Sequence, residues 1–114
     1  MHEMSVVSNI TKIALETAKD NKLKVIDKIK IAVGSQHHLA PDLMEYAFTF
    51  FSKDTIAEGA SLIIEKIPIT MICLDCKKEF NVQNQVYICP ECSSVQLVMK
   101  SGRELIIENI EGER

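Results

Sequence analysis

Two groups of residues in this 114-residue chain could bind metal, and they lie far apart in the sequence. All four cysteines belong to two C-x-x-C knuckles, Cys73-Leu74-Asp75-Cys76 and Cys89-Pro90-Glu91-Cys92, with twelve residues between them. Each knuckle can present two thiolates from one tight turn. A short hairpin between them would join the turns into the closed four-sulfur site of structural Zn(II). The second group is at the start of the chain. The amine, the following backbone nitrogen and the imidazole of His2 can chelate one metal through adjoining rings, an arrangement that suits Ni(II) or Cu(II). Taken alone, a terminal histidine is more often a solvated residue. Glu3 is equally open: it can favour the positive end of a first helix, or add an oxygen ligand or hydrogen-bond partner to His2.

The cysteines have two other readings, a pair of disulfides or a redox C-x-x-C. The opening Met1-His2-Glu3-Met4-Ser5 lacks a basic stretch followed by an apolar run. A reducing, cytoplasmic setting is therefore expected, in which disulfides are rare. A redox pair usually opens a helix, whereas strand-like Ile69-Thr70-Met71-Ile72 and Val86-Tyr87-Ile88 flank these pairs. Adjacent His37 and His38 could lend a ligand to a mobile metal or serve as polar loop filler, and neighbouring extended positions do not easily chelate together. No catalytic triad, phosphate-cradling glycine loop or paired inward carboxylates stand out, so no enzyme is expected.

A core built from helices and strands must position these groups. Apolar Val6, Ile10, Ile13, Ala14 and Ala18 recur at helical spacing and predict a first helix from about Glu3 to Asn21. Val25, Ile29, Ile31 and Val33 alternate with Lys24, Lys28, Lys30 and Ala32, which predicts a half-buried strand ending at Gly34 with Asp27 as the one polar residue on the inward side. Pro41 suits the first position of a second helix, with Asp42 and Glu45 near its positive end. Leu43, Ala47, Phe50 and Phe51 would form its apolar face. Ser61–Ile67 reads as a strand closed by Pro68, and residues 104–110 as a last strand after the Ser101-Gly102 turn.

The expected fold class is α+β: a three-stranded sheet with two helices on one face, plus an inserted zinc-ribbon-like β-hairpin domain. The expected division is residues 1–68 as a nickel-binding α/β domain completed by strand 102–114, with 69–101 as the zinc-binding domain. About thirty residues bury too little apolar surface to fold alone, so the ion would supply the missing stability. A net charge of −3 argues against binding phosphate backbones, although Lys22, Lys24, Lys28 and Lys30 cluster locally. The apolar runs are too short for a membrane span.

The Met1-to-Ser5 start, the Glu58-Gly59-Ala60-Ser61-Leu62-Ile63-Ile64-Glu65 segment, the two knuckles and the closing Gly102-Arg103-Glu104-Leu105-Ile106-Ile107 together resemble the HypA/HybF family of hydrogenase nickel-incorporation proteins. The resemblance covers essentially the whole chain. It implies a nickel metallochaperone with His2 as principal nickel ligand, Glu3 as a secondary contributor with its backbone nitrogen involved, and structural Zn(II) on Cys73, Cys76, Cys89 and Cys92. Ni(II) would be transient cargo. The implied partners are the GTPase HypB and the hydrogenase large subunit, with urease served by some similar proteins, and the chain acting as a monomer or homodimer. Many family members carry glycine after each knuckle where this chain has Lys77 and Ser93, so local knuckle geometry could differ. The alternatives are a zinc-ribbon interaction module binding nucleic acid or protein, disfavoured by the acidic balance, and a thiol enzyme using Cys73 or Cys76.

Overall fold

The computed structural model describes residues 2–114, so the Met1 amine of the terminal chelate lies outside it. Helix α1 (Glu3–Asp20) leads into strand β1 (Val25–Gly34), a 3-10 turn (Ser35–His37), helix α2 (Pro41–Ser52) and strand β2 (Ser61–Ile67). Strands β3 (Thr70–Cys73), β4 (Glu79–Asn81), β5 (Leu97–Ser101) and β6 (Leu105–Glu113) follow. One sheet has the order β2-β1-β6 and the other β4-β3-β5. β1 and β2 run parallel, which requires a crossover between them, and α2 supplies it. β6 pairs antiparallel on the other side of β1 after the chain has passed through the cysteine region.

The core lies between the two helices and the β2-β1-β6 sheet, as the sequence predicts. Its register along β1 differs from simple alternation. Ile26 is buried and Val25 exposed, because a bulge between Ile26 and Lys28 adds Asp27 as an extra residue. The bulge resets the parity, so Ile26, Ile29, Ile31 and Val33 share the inner face and Asp27 is exposed. A second irregularity adds Glu108 to β6, which allows Leu105, Ile107 and Ile110 all to pack on the core. On the open face Lys28 meets Glu111 at 3.4 Å and Lys30 meets Glu65 at 3.9 Å, which pairs two members of the lysine cluster with acids. Half-exposed pairs of this kind add little stability.

Both helices bury faces turned slightly from those expected. In α1, Val7 and Thr11 are buried and Ile13 is exposed, and the Thr11 hydroxyl is satisfied by donating to the Val7 carbonyl at 2.7 Å. In α2, Met44, Ala47 and Phe48 face inward, whereas Leu43 and Phe50 are exposed and Phe51 is half-buried. Helix α1 stops where expected: Lys22 takes a left-handed conformation (φ 61°) and the Leu23 N–H returns to the Ala18 carbonyl at 2.9 Å.

Gly34 and Gly102 cross where β1 ends and the chain returns to the sheet. The Gln36 N–H donates to the Gly102 carbonyl at 2.9 Å, and the Gly34 N–H donates to Glu104 at 2.6 Å. A Cβ on Gly34 would lie 2.1 Å from the Gly102 oxygen, so close backbone approach requires glycine here.

Candidate metal centre

The β4-β3-β5 sheet carries the cysteines at one end. Cys73 is the last residue of β3, and Cys76 closes the turn after it. Cys89 and Cys92 occupy a second turn, preceded by irregular backbone, so Val86-Tyr87-Ile88 is not the strand that the sequence suggested. The sheet instead takes β5 as its third strand. The two turns are copies of one another. The Lys77 N–H donates to the Cys73 carbonyl and the Ser93 N–H to the Cys89 carbonyl, both at 2.9 Å. The Cys73 N–H reaches Lys78 at 2.8 Å and the Cys89 N–H reaches Ser94 at 2.9 Å.

Lys77 and Ser93 complete these turns with left-handed φ values of 67° and 61°. The missing glycines therefore leave the geometry of the two knuckles matched, at the cost of strain in two non-glycine residues. Side chains bind the turns to each other: the Ser94 hydroxyl donates to Asp75, and Lys78 pairs with Glu91 at 3.6 Å.

All four sulfurs lie within 4.8 Å of one another, with Cys73–Cys92 and Cys76–Cys89 each at 3.5 Å. A tetrahedral ion with Zn–S bonds of ~2.3 Å would place sulfurs about 3.8 Å apart, so the donors fit a closed thiolate site. Cys73 and Cys89 are buried, whereas Cys76 and Cys92 are exposed. The electrostatics also call for a cation. The backbone N–H of Cys76, helped by that of Asp75 and by contacts with Cys92 and Cys76, brings the Cys73 thiol down to about 7 against the effect of burial. At Cys92 the Ser94 N–H favours the thiolate, yet contact with Cys73, burial and the other sulfurs outweigh it and push the thiol up to about 12. Cys76 is raised likewise, its Lys78 N–H outweighed by burial and by Cys89 and Cys73. Four touching sulfurs cannot all be anionic without a positive ion between them.

The terminal residues meet a different environment. His2 is exposed with extended backbone at the N-cap of α1 (φ −101°, ψ 141°). The half-buried Glu3 opens the helix, and its Oε2 accepts the Ala40 N–H at 2.9 Å. Ala40 is the N-cap of α2 and has no side-chain oxygen, so Glu3 supplies to the second helix the contact that a capping-box acid makes within its own. That bond holds the Glu3 carboxyl below its usual range, and its own backbone N–H adds to the effect. Glu3 thus joins the starts of both helices, a role the sequence did not disclose because the partners are 37 residues apart. His37 Nε2 lies 2.9 Å from the Arg103 carbonyl, and His38 is exposed in a left-handed conformation (φ 53°). Among the described residues, the cysteine quartet is the one group of three or more potential ligands gathered within metal-binding distance.

A sealed sulfur site beside an α/β unit defines a small metal-binding protein, since an ion held by four thiolates offers no open position to a substrate. Comparison with known proteins identifies the kind. The family model described as "Hydrogenase/urease nickel incorporation, metallochaperone, hypA" matches residues 1–112, and the chain belongs to this HypA family. Similar proteins include a "Hydrogenase maturation factor HypA" of Desulfitobacterium hafniense, 32% identical over 113 residues and covering 99% of each chain. One of Lawsonia intracellularis is 35% identical over 118 residues, covering 99% of this chain and 100% of its own. The solution structure of the Ni metallochaperone HypA from Helicobacter pylori superposes with a TM-score of 0.68 at 25% identity, covering 99% of this chain and 98% of that one. A metallochaperone carries an ion and converts no substrate, so the chain is not an enzyme. Its work in hydrogenase maturation implies protein partners.

Proposed function

We propose that this chain binds Ni(II) at its amino terminus, through His2 and the backbone nitrogen of Glu3, and delivers it during maturation of nickel-iron hydrogenase. The observation that carries this reading is the placement of His2, exposed in extended backbone directly ahead of α1. The N–H of Glu3 is the first of the donors that a helix start leaves without a backbone acceptor, and its contact is with its own carboxylate, so a metal that takes the place of its proton breaks no bond of the helix. The positive ends of α1 and α2 both act on this corner through Glu3 and oppose a bare cation. A deprotonated amide ligand offsets them. The balance favours moderate, exchangeable binding, as a carrier requires.

In this reading Cys73, Cys76, Cys89 and Cys92 hold structural Zn(II), residues 69–101 form the zinc-binding domain, and residues 1–68 with 102–114 form the nickel-handling one. The ion fixes the relation of the two knuckles and is not exchanged. Nickel passes by ligand exchange to an acceptor with more or softer donors. The GTPase HypB and the hydrogenase large subunit are the proposed partners, in the cytoplasm. Hydrogenase is favoured over urease as acceptor by the names of the relatives, which are hydrogenase maturation factors. No helix of the described residues is long and apolar enough to cross a membrane.

Nickel titration calorimetry on untagged protein tests the terminal site. His2→Ala should abolish stoichiometric nickel uptake while zinc content and circular dichroism stay unchanged. An unaltered nickel isotherm in that variant rejects the proposal.

A further inference from the structure

We propose that His38 supplies a second imidazole to Ni(II) held at His2, joining only when nickel is present. The inference rests on the terminal-site reading above and names a ligand for it. Its basis is the bond between Glu3 Oε2 and the Ala40 N–H. His2 is one peptide step from Glu3 and His38 two steps from Ala40, each step spanning ~3.8 Å. The contact therefore ties the two histidine-bearing segments together at their roots.

The neighbouring side chains narrow the choice of ligand. One oxygen of the Glu3 carboxylate, Oε2, is engaged by the Ala40 N–H. A carbonyl can only accept a hydrogen bond, so His37 must donate from Nε2 to Arg103, which holds its ring against the returning chain. His38 is exposed, and its imidazole makes no hydrogen bond among the described residues. Its backbone is fixed, with the N–H donating to the Ser35 carbonyl at 3.2 Å. The result is an anchored residue carrying a free borderline nitrogen donor, the kind of ligand that Ni(II) accepts.

The ligand atoms of His2, Glu3 and His38 are not gathered in this structure, because the cysteine quartet is the one cluster of that kind among the described residues. Ligation by His38 therefore follows from swinging an exposed ring toward an ion already held at the terminus. A ligand recruited in this way is also the first to be lost on transfer, so release can proceed one bond at a time.

The test uses the untagged full chain and Ni(II) itself, read by calorimetry and by the number of imidazoles counted at the nickel in X-ray absorption. Asparagine and glycine both tolerate the left-handed backbone at this position, so His38→Asn and His38→Gly should preserve the turn. Each should weaken nickel binding by about tenfold or more and reduce the imidazole count from two to one. His37→Asn should leave both readings unchanged. The inference is overturned if the His38 variants bind like the parent, or if the count falls in His37→Asn instead. Failure of the terminal site itself reads separately, as nickel binding that survives His2→Ala.

Discussion

Gly34→Ala tests how the returning chain is locked against the main sheet. Gly34 has a φ of −69°, which any residue adopts, so the requirement for glycine is one of space alone. An added Cβ would sit 2.1 Å from the Gly102 oxygen, 2.2 Å from its carbonyl carbon and 2.5 Å from the Arg103 nitrogen. All three are backbone atoms, so no rotamer change relieves the clash, and the crossing segments must separate by about 1 Å to reach a tolerable contact. Three hydrogen bonds bridge that crossing: Gly34 to Glu104, Gln36 to Gly102 and His37 to Arg103. At ~1 kcal/mol each, their loss costs about 3 kcal/mol, or a fall of roughly 12 °C in Tm for a chain of this length. Urea unfolding of the metal-loaded protein measures it. Gly59→Ala is the control, since Gly59 has a φ of 81° with nothing within 4 Å of its Cβ position, leaving backbone strain of ~1–2 kcal/mol as the whole effect. A Gly34→Ala loss no larger than that of Gly59→Ala would refute the steric argument.

Two further outcomes concern the cysteine site. Lys77→Gly and Ser93→Gly should each stabilise the metal-loaded protein, by about 0.5–1 kcal/mol, because relief of left-handed strain exceeds the added freedom of the unfolded chain. A lowered urea midpoint in either variant would mean that the turn is not strained. Acid should expel the ion with a defined slope. At pH 8 Cys73, at about 7, is largely ionised, while Cys76 and Cys92 are raised and still protonated. Binding an ion to four thiolates then releases at least two protons, so affinity falls about 100-fold or more per pH unit, and more steeply below pH 7 as Cys73 also protonates. Competition with a chromogenic chelator measures the slope, and a change under tenfold per pH unit would contradict it.

The gathering of the four cysteines was legible because its information is local: each knuckle is four residues long, and two such turns suffice to bring the sulfurs together. Outside the cysteine region the order of helices and strands was legible for the same reason, through period and punctuation, whereas there Val86-Tyr87-Ile88 is irregular and β5 forms the third strand. The inward faces were harder to read. In α2, Leu43, Met44, Tyr46, Phe48, Phe50 and Phe51 leave large apolar groups on every side, and packing alone selects Met44 and Phe48. In α1 a polar residue lies inside because its hydroxyl bonds within the helix. Asp27 on the inward register of β1 did signal trouble, and the bulge at that residue is its explanation. The Glu3–Ala40 bond left no trace in either local segment.

The two candidate sites differ in how much of their geometry exists before an ion arrives. At the cysteines, four sulfurs are already in contact, their turns are matched bond for bond, and Asp75–Ser94 and Lys78–Glu91 tie one turn to the other. Little ordering remains to oppose binding, and the ion removes the repulsion between thiolates that otherwise keeps Cys92 protonated. Both effects favour retention. At the amino terminus the scaffold is fixed through Glu3 and Ala40, while the imidazoles of His2 and His38 remain exposed, so each coordination bond must order a side chain near two positive helix ends. Both effects favour release. If the ion at the cysteines exchanged as fast as nickel at the terminus, this difference in preorganisation would not be what separates a structural ion from cargo; isotope exchange into the doubly loaded protein, followed site by site, measures that ratio.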